Sequence, residues 1–154
     1  MHISINLSVD DLRSPTLPTL LHDQLQHWGI AAEQIILEIT ERGFVDPETT
    51  MPVIAHYRQA GHRISIDDFG TGYANYERLK HLQADIIKID GCFVRDILTD
   101  PLDAIMVKSI VEMARAKQMS VVAEYVESEP QKARLLELGV NYLQGYLIGK
   151  PQPL

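Results

Sequence analysis

The residues of this chain that could do chemistry are polar side chains that interrupt otherwise apolar segments. Four are carboxylates, and four negative charges held close together would force some of them to take up protons. Divalent cations remove that cost, and oxygen-only ligation by carboxylates and an amide suits Mg²⁺ or Mn²⁺ better than zinc or copper. The predicted metal ligands are Asn6, Glu38, Asp67, Asp68 and Glu124.

Asp67 and Lys88 suggest what such a metal site would do. We predict that Asp67 bridges two metal ions, which lie about 3.5–4 Å apart in two-metal hydrolases. Such a pair activates a water and stabilises the leaving oxygen of a phosphodiester. Lys88 interrupts an apolar run, and a buried lysine is rare without a partner. We expect its ammonium group to orient that water or to neutralise developing phosphate charge.

The polar positions recur at intervals that match one strand plus one helix. Successive members lie 20 to 36 residues apart, and each falls late in a predicted strand: Asn6, Glu38, Asp67, Lys88, Glu124 and Gln144. Parallel strands with right-handed helical crossovers bring such residues to one face, which in a β/α barrel carries the active site. A doubly wound sheet is the rival fold, but it gathers only residues beside its switch point. We therefore predict an α/β fold, an incomplete TIM-type (β/α)₈ barrel with about six β/α units.

Strands and helices are predicted to alternate along the whole chain. The predicted strands are near residues 3–8, 35–40, 64–68, 86–90, 120–123 and 141–144. The predicted helices are near residues 20–28, 46–60, 73–81, 100–118 and 129–139. Ile105, in the longest helix, is expected to be available for burial.

Asp67 and Asp68 are chain neighbours, so a continuing strand would point them to opposite faces. Both can face one site only if the strand ends between them and the backbone turns. We expect Gly70 and Gly72 to permit that turn, because glycine adopts backbone angles that other residues avoid.

Composition limits the class of protein. The 154 residues suit a single domain, 1–154, and a net charge of −7 argues against a DNA- or RNA-binding track. The one cysteine, Cys92, excludes an internal disulfide and is expected to be small core filler rather than a nucleophile. No apolar run approaches the roughly 20 residues of a membrane span, and the first residues do not resemble a secretory signal. We expect a cytoplasmic segment without membrane contact.

Several of these residues also have purely structural interpretations. Asp68 and Asp90 each precede a turn, where aspartate is common. Glu41 could cap a loop, and Gln144 could satisfy backbone groups in the last turn. Lys88 fits a structural interpretation least well, although Asp90 could be its partner.

Six short motifs resemble those of the EAL domain family, which comprises cyclic-di-GMP phosphodiesterases with a modified (β/α)₈ barrel. They occur in the family's order and extend over nearly the whole chain. They are Asn6-Leu7-Ser8, Leu37-Glu38-Ile39-Thr40-Glu41, Asp67-Asp68-Phe69-Gly70-Thr71-Gly72-Tyr73, Lys88-Ile89-Asp90, Ala123-Glu124-Tyr125-Val126-Glu127 and Gln144-Gly145-Tyr146. Asp-Phe-Gly also occurs in protein kinases, but no glycine-rich phosphate loop or His-Arg-Asp accompanies it here.

The resemblance implies hydrolysis of one phosphodiester of cyclic-di-GMP to the linear dinucleotide pGpG, with two Mg²⁺ or Mn²⁺ ions per complete site. It implies that the five predicted ligands bind the metals and that Glu124 and Lys88 serve the attacking water, with Glu124 as general base. Glu41 would anchor the loop of residues 69–75, which in the family links the site to dimerisation. Support of substrate or loop is implied for Glu41, Asp90, Glu127 and Gln144.

The chain departs from the family pattern at three places. Ala74-Asn75 replaces a common Ser-Ser pair, and Tyr125 stands where glycine is common. The Glu-Ala-Leu segment, whose glutamate is a metal ligand in the family, is absent together with the first two strand–helix units and the helix expected after Pro151. A complete barrel takes about 250 residues. We therefore expect a truncated EAL domain.

Truncation would leave two sheet edges and part of the apolar interior uncovered, because six strands do not close an eight-stranded ring. We predict that the isolated chain forms a homodimer or swapped oligomer and hydrolyses its substrate weakly or not at all. Two other functions compete with the phosphodiesterase. One is a non-catalytic EAL module that senses cyclic-di-GMP or binds a protein. The other is a glycosidase with a carboxylate pair, for which the strand ends lack the expected aromatic platforms.

Overall fold

The structure is a computed structural model that describes residues 2–44, 46–71, 80–81 and 83–153. The chain forms two compact units. The first unit comprises Met1–Asp67 and Thr71–Asp85, and the second comprises Asp68–Gly70 and Ile86–Leu154.

Three parallel strands form the sheet of the first unit: β1 (Ile3–Leu7), β2 (Ile35–Thr40) and β3 (Arg63–Phe69, whose last two residues belong to the second unit). Asn6 pairs with Glu38, and Glu38 with Ser65. Alternate residues of β2 are buried, as expected for a strand with one covered face, whereas β3 has three consecutive buried residues, 64–66. The register therefore places Asn6 and Glu38 side by side on the same face.

Capping residues define where the helices of the first unit begin and end. They are α1 (Val9–Arg13), α2 (Leu17–Trp28) and α3 (Pro47–Gln59), with 3₁₀ turns at Ala32–Gln34 and Glu41–Phe44. Ser8 and Asp11 form a capping box that starts α1. Gly29 ends α2 in the left-handed conformation (φ +64°).

These helices differ from the prediction in two ways. Helix α1 was not predicted, because five residues carry no recognisable helical period. Helix α2 begins at Leu17, three residues before the predicted start, because Pro18 fits the first turn of a helix, where no amide partner is needed.

The second unit contains three further parallel strands: β4 (Ile86–Ile89), β5 (Ser120–Ala123) and β6 (Tyr142–Leu143). Lys88 pairs with Val122, and Val122 pairs with Tyr142. All four residues of β4 are buried, Lys88 included. Helices α4 (Gly91–Arg95) and α5 (Pro101–Ala116) both lie between β4 and β5, and α6 (Glu129–Glu137) lies between β5 and β6.

Side-chain caps start all three helices of the second unit. Asp90 accepts a hydrogen bond from the Cys92 amide at 2.7 Å, Asp100 accepts one from Leu102, and Ser128 accepts one from Gln131. Asp90 is therefore the cap of α4, a short helix that was not predicted.

The core of the second unit contains fully buried side chains of β4, α4, α5 and α6, namely Ile87, Ile89, Val94, Val107, Ile110 and Leu135. Ile105 lies on the opposite side of α5 and is 58% exposed, so its predicted burial was wrong.

Within the described residues, strands and helices alternate as predicted, and the six strands found there are parallel within each unit. The predicted helix at residues 73–81 lies outside the described residues apart from its last two, which are helical. Among the described residues, no helix combines the length and the apolarity needed to cross a membrane.

Candidate functional site

A buried ion pair is the centre of the polar cluster in the second unit. Lys88 Nζ lies 2.9 Å from Glu124 Oε1, and the two side chains are only 7% and 11% exposed. Lys88 pairs with Val122 on the neighbouring strand, and Glu124 lies two residues further along the same face. Burial makes each charge depend on the other, because an unpaired charge in this position would be strongly unfavourable.

The backbone turns away from the strand direction directly after Glu124. The Glu124 amide still donates to the Ile89 carbonyl at 3.3 Å, as a further rung of the β4–β5 ladder. Tyr125 then adopts a left-handed conformation with φ +56°, and the Val126 amide donates to the Gln144 carbonyl at 3.0 Å. The end of β5 thus brings Glu124, Tyr125 and Gln144 into one neighbourhood.

Asp68 brings a second carboxylate to Glu124. An oxygen of each side chain lies within 4.8 Å of the other, which is within reach of one shared divalent ion. Asp68 itself adopts the left-handed conformation (φ +54°), which aspartate tolerates better than most residues. The turn was predicted to depend on Gly70 and Gly72. Gly70 has a positive φ of +103°, as that prediction requires, Asp68 also takes part in the turn, and Gly72 lies outside the described residues.

The donor chemistry of this cluster fits a hard divalent cation. Both ligand groups are carboxylates, and Lys88 forms an ion pair with one of them, Glu124. Sulfur and imidazole donors, which zinc or copper would favour, are not part of this group of described residues.

A cavity of about 620 Å³ opens beside Glu124. Its polar and aromatic lining includes Glu124, Tyr125, Glu127, Gln144, Tyr146 and Lys150. Lys150 Nζ lies 5.3 Å from the centre of the Tyr146 ring, at cation–π distance. Glu127 and Gln144 were predicted as lining residues. Tyr125, Tyr146 and Lys150 were not predicted there. The expectation that the strand ends lack aromatic side chains, which was used against a glycosidase, was therefore wrong.

The first unit presents its own polar row on one face of the sheet. Asn6 pairs with Glu38, and Asp67 pairs with Thr40, two residues beyond Glu38 on the same face. Asn6 is exposed, whereas Glu38 and Asp67 are half-buried. Glu41 is buried at the start of the 3₁₀ turn that follows β2. The loop that Glu41 was predicted to anchor lies largely outside the described residues.

The structure settles two questions that the sequence left open, the role of Asp90 beside Lys88 and the role of Cys92. Lys88 forms an ion pair with Glu124, and Asp90 instead accepts a hydrogen bond from the Cys92 amide. Cys92 is exposed, so the prediction that it fills the core was wrong. Partial burial of the thiol, together with the nearby Asp90 carboxylate, raises the pKa of Cys92 to about 11. It is therefore a poor nucleophile near neutral pH.

Comparison with known proteins confirms the resemblance that the motifs indicated. The EAL domain model matches residues 1–151. The chain is 54% identical over 152 residues to the probable cyclic di-GMP phosphodiesterase PdeA of Escherichia coli and 46% identical to the cyclic di-GMP phosphodiesterase PdeF of the same organism. These matches cover 98% of this chain and 21% and 20% of the two relatives. The chain thus spans about a fifth of the length of these curated relatives.

Solved structures agree with the sequence comparison. The manganese and cyclic-di-GMP complex of Klebsiella pneumoniae BlrP1 superposes with a TM-score of 0.89 at 32% identity. The match covers 95% of this chain and 38% of that one. This likeness confirms the predicted TIM-type fold class for the part of a barrel that the chain represents.

Proposed function

Because this chain belongs to the EAL domain family, we propose that it contributes the catalytic face of a cyclic-di-GMP phosphodiesterase. The reaction is hydrolysis of one phosphodiester bond of cyclic-di-GMP to linear pGpG. The observation that carries this proposal is the buried Lys88–Glu124 pair with the Asp68 carboxylate beside it. A buried lysine and two close carboxylates suit metal-assisted phosphoryl chemistry, and a purely structural role would be better served by apolar residues.

The metal ligands of this proposal are Asn6, Glu38, Asp67, Asp68 and Glu124, with Mg²⁺ or Mn²⁺ as the ions. The closeness of Asp68 to Glu124 and the pairing of Asn6 with Glu38 support the assignment, each within its own unit. The relative solved with manganese supports a divalent metal. When bound, such ions would lower the pKa of a coordinated water and offset charge on the phosphate.

Glu124 and Lys88 act on the attacking water in this proposal. Glu124 accepts the proton of the water as general base, and the adjacent Lys88 ammonium stabilises the charge that develops on the phosphate. Lys88 also fixes the Glu124 carboxylate at 2.9 Å, so that the base does not have to be ordered during the reaction. Glu127 and Gln144 line the substrate cavity, and the buried Glu41 braces the loop that follows β3.

A second copy of the chain is the proposed protein partner. Leu102, Ile105 and Met106 are exposed, and their spacing follows one face of the first turns of α5; Leu98, which precedes the helix, is exposed as well. Association of two such faces would bury apolar side chains that now contact solvent. Analytical ultracentrifugation should give a dimer mass, and a monomer at every concentration would contradict this proposal.

Glu124→Gln is the variant that tests the reaction. It should lower the formation of pGpG by about 10²–10⁴-fold, because the base and one metal ligand are lost together. Glu112→Gln, on the exposed side of α5, is the matched control and should retain wild-type turnover. The assay uses the longest natural polypeptide that carries these 154 residues, with Mg²⁺ or Mn²⁺, and chromatography of the nucleotide products.

Three results of this assay would contradict the proposal. Turnover that survives chelation of divalent ions would exclude the metal-assisted mechanism. Activity of Glu124→Gln at the wild-type level would exclude the assigned base. Binding of cyclic-di-GMP by the wild-type protein without any pGpG would identify a sensor module in place of an enzyme.

A further inference from the structure

Tyr125 is held in a conformation that neither backbone preference nor burial explains. Its φ of +56° is uncommon for any residue with a side chain and is a clear outlier for a bulky one. The residue is 66% exposed, so burial of the ring does not account for the conformation. Non-glycine residues in such conformations concentrate at ligand-binding positions, where the backbone conformation is part of the function.

Gly91 shows that the position of the Tyr125 ring is built into the fold. A Cβ atom at Gly91 would lie 2.7 Å from Tyr125 Cγ and 2.9 Å from Tyr125 Cβ, which is closer than real Cβ atoms approach their neighbours. The φ of Gly91 is not in the left-handed region, so its backbone does not require glycine. Gly91 instead leaves space for the ring of Tyr125.

The left-handed turn also decides which cavity the ring faces. In a continuing strand, Glu124 and Tyr125 would point to opposite faces. Here both line the same cavity of about 620 Å³, together with Gln144 and Tyr146. The exposed ring therefore lies on the wall next to the proposed general base.

We propose that Tyr125 is a stacking platform for one guanine base of the cyclic dinucleotide and that Gly91 seats its ring. This inference rests on the proposed function and adds a residue that determines substrate binding. A purine presents a flat face that stacks on an aromatic side chain, and such stacking does not depend on base-edge hydrogen bonds. Because the ring contacts a base remote from the reacting phosphorus, it contributes equally to ground-state and transition-state binding.

Tyr125→Gly removes the ring and suits the backbone, because glycine readily adopts a positive φ. In the same natural polypeptide used above, it should raise the KM for cyclic-di-GMP about fivefold or more, the lower end of the range for loss of a stacked base, with kcat little changed. Tyr125→Phe retains the ring and should stay within about twofold of the wild type. Gly91→Ala displaces the ring without removing it and should raise KM in the same direction.

A substrate without a nucleobase separates stacking from a general effect on the catalytic groups. Hydrolysis of methyl p-nitrophenyl phosphate should proceed at the same kcat/KM in the wild type and in Tyr125→Gly. An equal loss on both substrates would overturn the proposal, because Tyr125 would then act by positioning Glu124. Thermal unfolding of Tyr125→Gly at or above the wild-type temperature would show that any loss is not a folding defect.

The remaining outcomes distinguish this inference from the proposed function. Unchanged KM in Tyr125→Gly, with normal wild-type turnover, overturns the stacking alone. If the wild type binds cyclic-di-GMP without hydrolysing it, the enzymatic proposal fails. The Kd values of the same variants then test the stacking: a weaker Kd for Tyr125→Gly supports it, and an unchanged Kd overturns it. A wild-type protein that neither binds nor hydrolyses cyclic-di-GMP overturns both.

Discussion

The two units of this chain present their polar residues in different ways. In the first unit, Asn6 and Glu38 lie within regular parallel strands and pair directly across the sheet. In the second unit, Asp68 and Tyr125 adopt left-handed conformations, and Glu124 follows the last residue of β5. Regular register thus positions the polar residues of the first unit, whereas the second unit combines Lys88 in the regular strand β4 with Asp68 and Tyr125 in irregular backbone.

The ion pairs of the two units show the same contrast. Arg58 and Asp85 of the first unit are 3.0 Å apart with side chains 38% and 26% exposed, so water screens them. Lys88 and Glu124 of the second unit are about equally close but almost fully buried. Exposed pairs contribute little to stability, whereas a buried charge depends on its partner. We infer that the second unit carries the stronger functional constraint.

Lys88→Met is the substitution expected to lower the free energy of unfolding most, and it tests the difference between the two ion pairs. It leaves the Glu124 carboxylate buried without its ammonium partner, so we expect a loss of about 3–5 kcal/mol in the free energy of unfolding. Arg58→Met, the matched change in the first unit, should cost about 0–1 kcal/mol. Urea titrations followed by circular dichroism measure both values. Equal losses would show that burial does not distinguish the two pairs.

A double variant separates the stability of the Lys88–Glu124 pair from its role in turnover. Lys88→Met combined with Glu124→Leu removes the unpaired charge and should recover much of the lost stability. It should not recover phosphodiesterase activity, because both proposed catalytic groups are gone. Recovery of activity in the double variant would remove the pair from the proposed mechanism.

Two glycines provide a second, smaller test of the difference between the units. Gly145 of the second unit packs so closely on the Val126 backbone that an added Cβ would lie 2.8 Å from its carbonyl carbon. Gly29 of the first unit has a left-handed φ of +64° but no neighbour within 4 Å of an added Cβ. Gly145 requires glycine for space and also has a φ of +154°, which residues with side chains rarely adopt, whereas Gly29 requires glycine for conformation alone.

Gly145→Ala should therefore lower the free energy of unfolding by about 2–4 kcal/mol, through steric overlap with backbone that cannot easily move. Gly29→Ala should lower it by only about 1 kcal/mol, the conformational cost at a helix end. Gly145→Ala should also raise the KM for cyclic-di-GMP, because Gly145 lines the cavity. Thermal unfolding and steady-state kinetics measure these effects. A larger loss for Gly29→Ala would contradict the interpretation.

The regular part of the structure could be predicted from the sequence because its signals are local and periodic. Strands β2 and β5 begin and end where apolar alternation indicated, at Ile35–Thr40 and Ser120–Ala123. The spacing of polar residues, one per strand–helix unit, placed Asn6 beside Glu38 and Lys88 near Glu124. In these cases the period of the secondary structure decides which face a residue occupies.

The irregular part could not be predicted because its causes are not local. The positive φ values of Asp68 and Tyr125 occur in residues that usually avoid them, and the surrounding fold imposes them. The five-residue helices α1 and α4 depend on the caps Ser8 and Asp90 rather than on an apolar period. Tyr125 was noted only as a departure from the family pattern. An aromatic residue at a position where glycine is common was the available signal of a positive φ.

His62 gives the first unit a pH-dependent stability. The residue is buried, and burial lowers its pKa below the usual 6.5, against smaller opposing effects of nearby backbone carbonyls and Glu33. Protonation therefore favours the unfolded state, which binds more protons between the lowered pKa and 6.5. The stability contribution is complete above about pH 6.5 and is lost as the pH falls below it.

We expect the free energy of unfolding of the wild type to fall between pH 7.5 and pH 5.5 by more than that of His62→Phe, which keeps a ring but has no titratable group. The difference between the two proteins isolates His62 from the carboxylates, because both carry the same acidic residues. Hydrogen exchange should place the added opening in the amides of β2 and β3, since His62 directly precedes β3. If hydrogen exchange of the β4 and β5 amides accelerates equally, the two units open together. The two units would then differ in how their polar residues are positioned but not in their stability. Identical pH profiles for the two proteins would instead show that His62 is hydrated and titrates as in the unfolded chain.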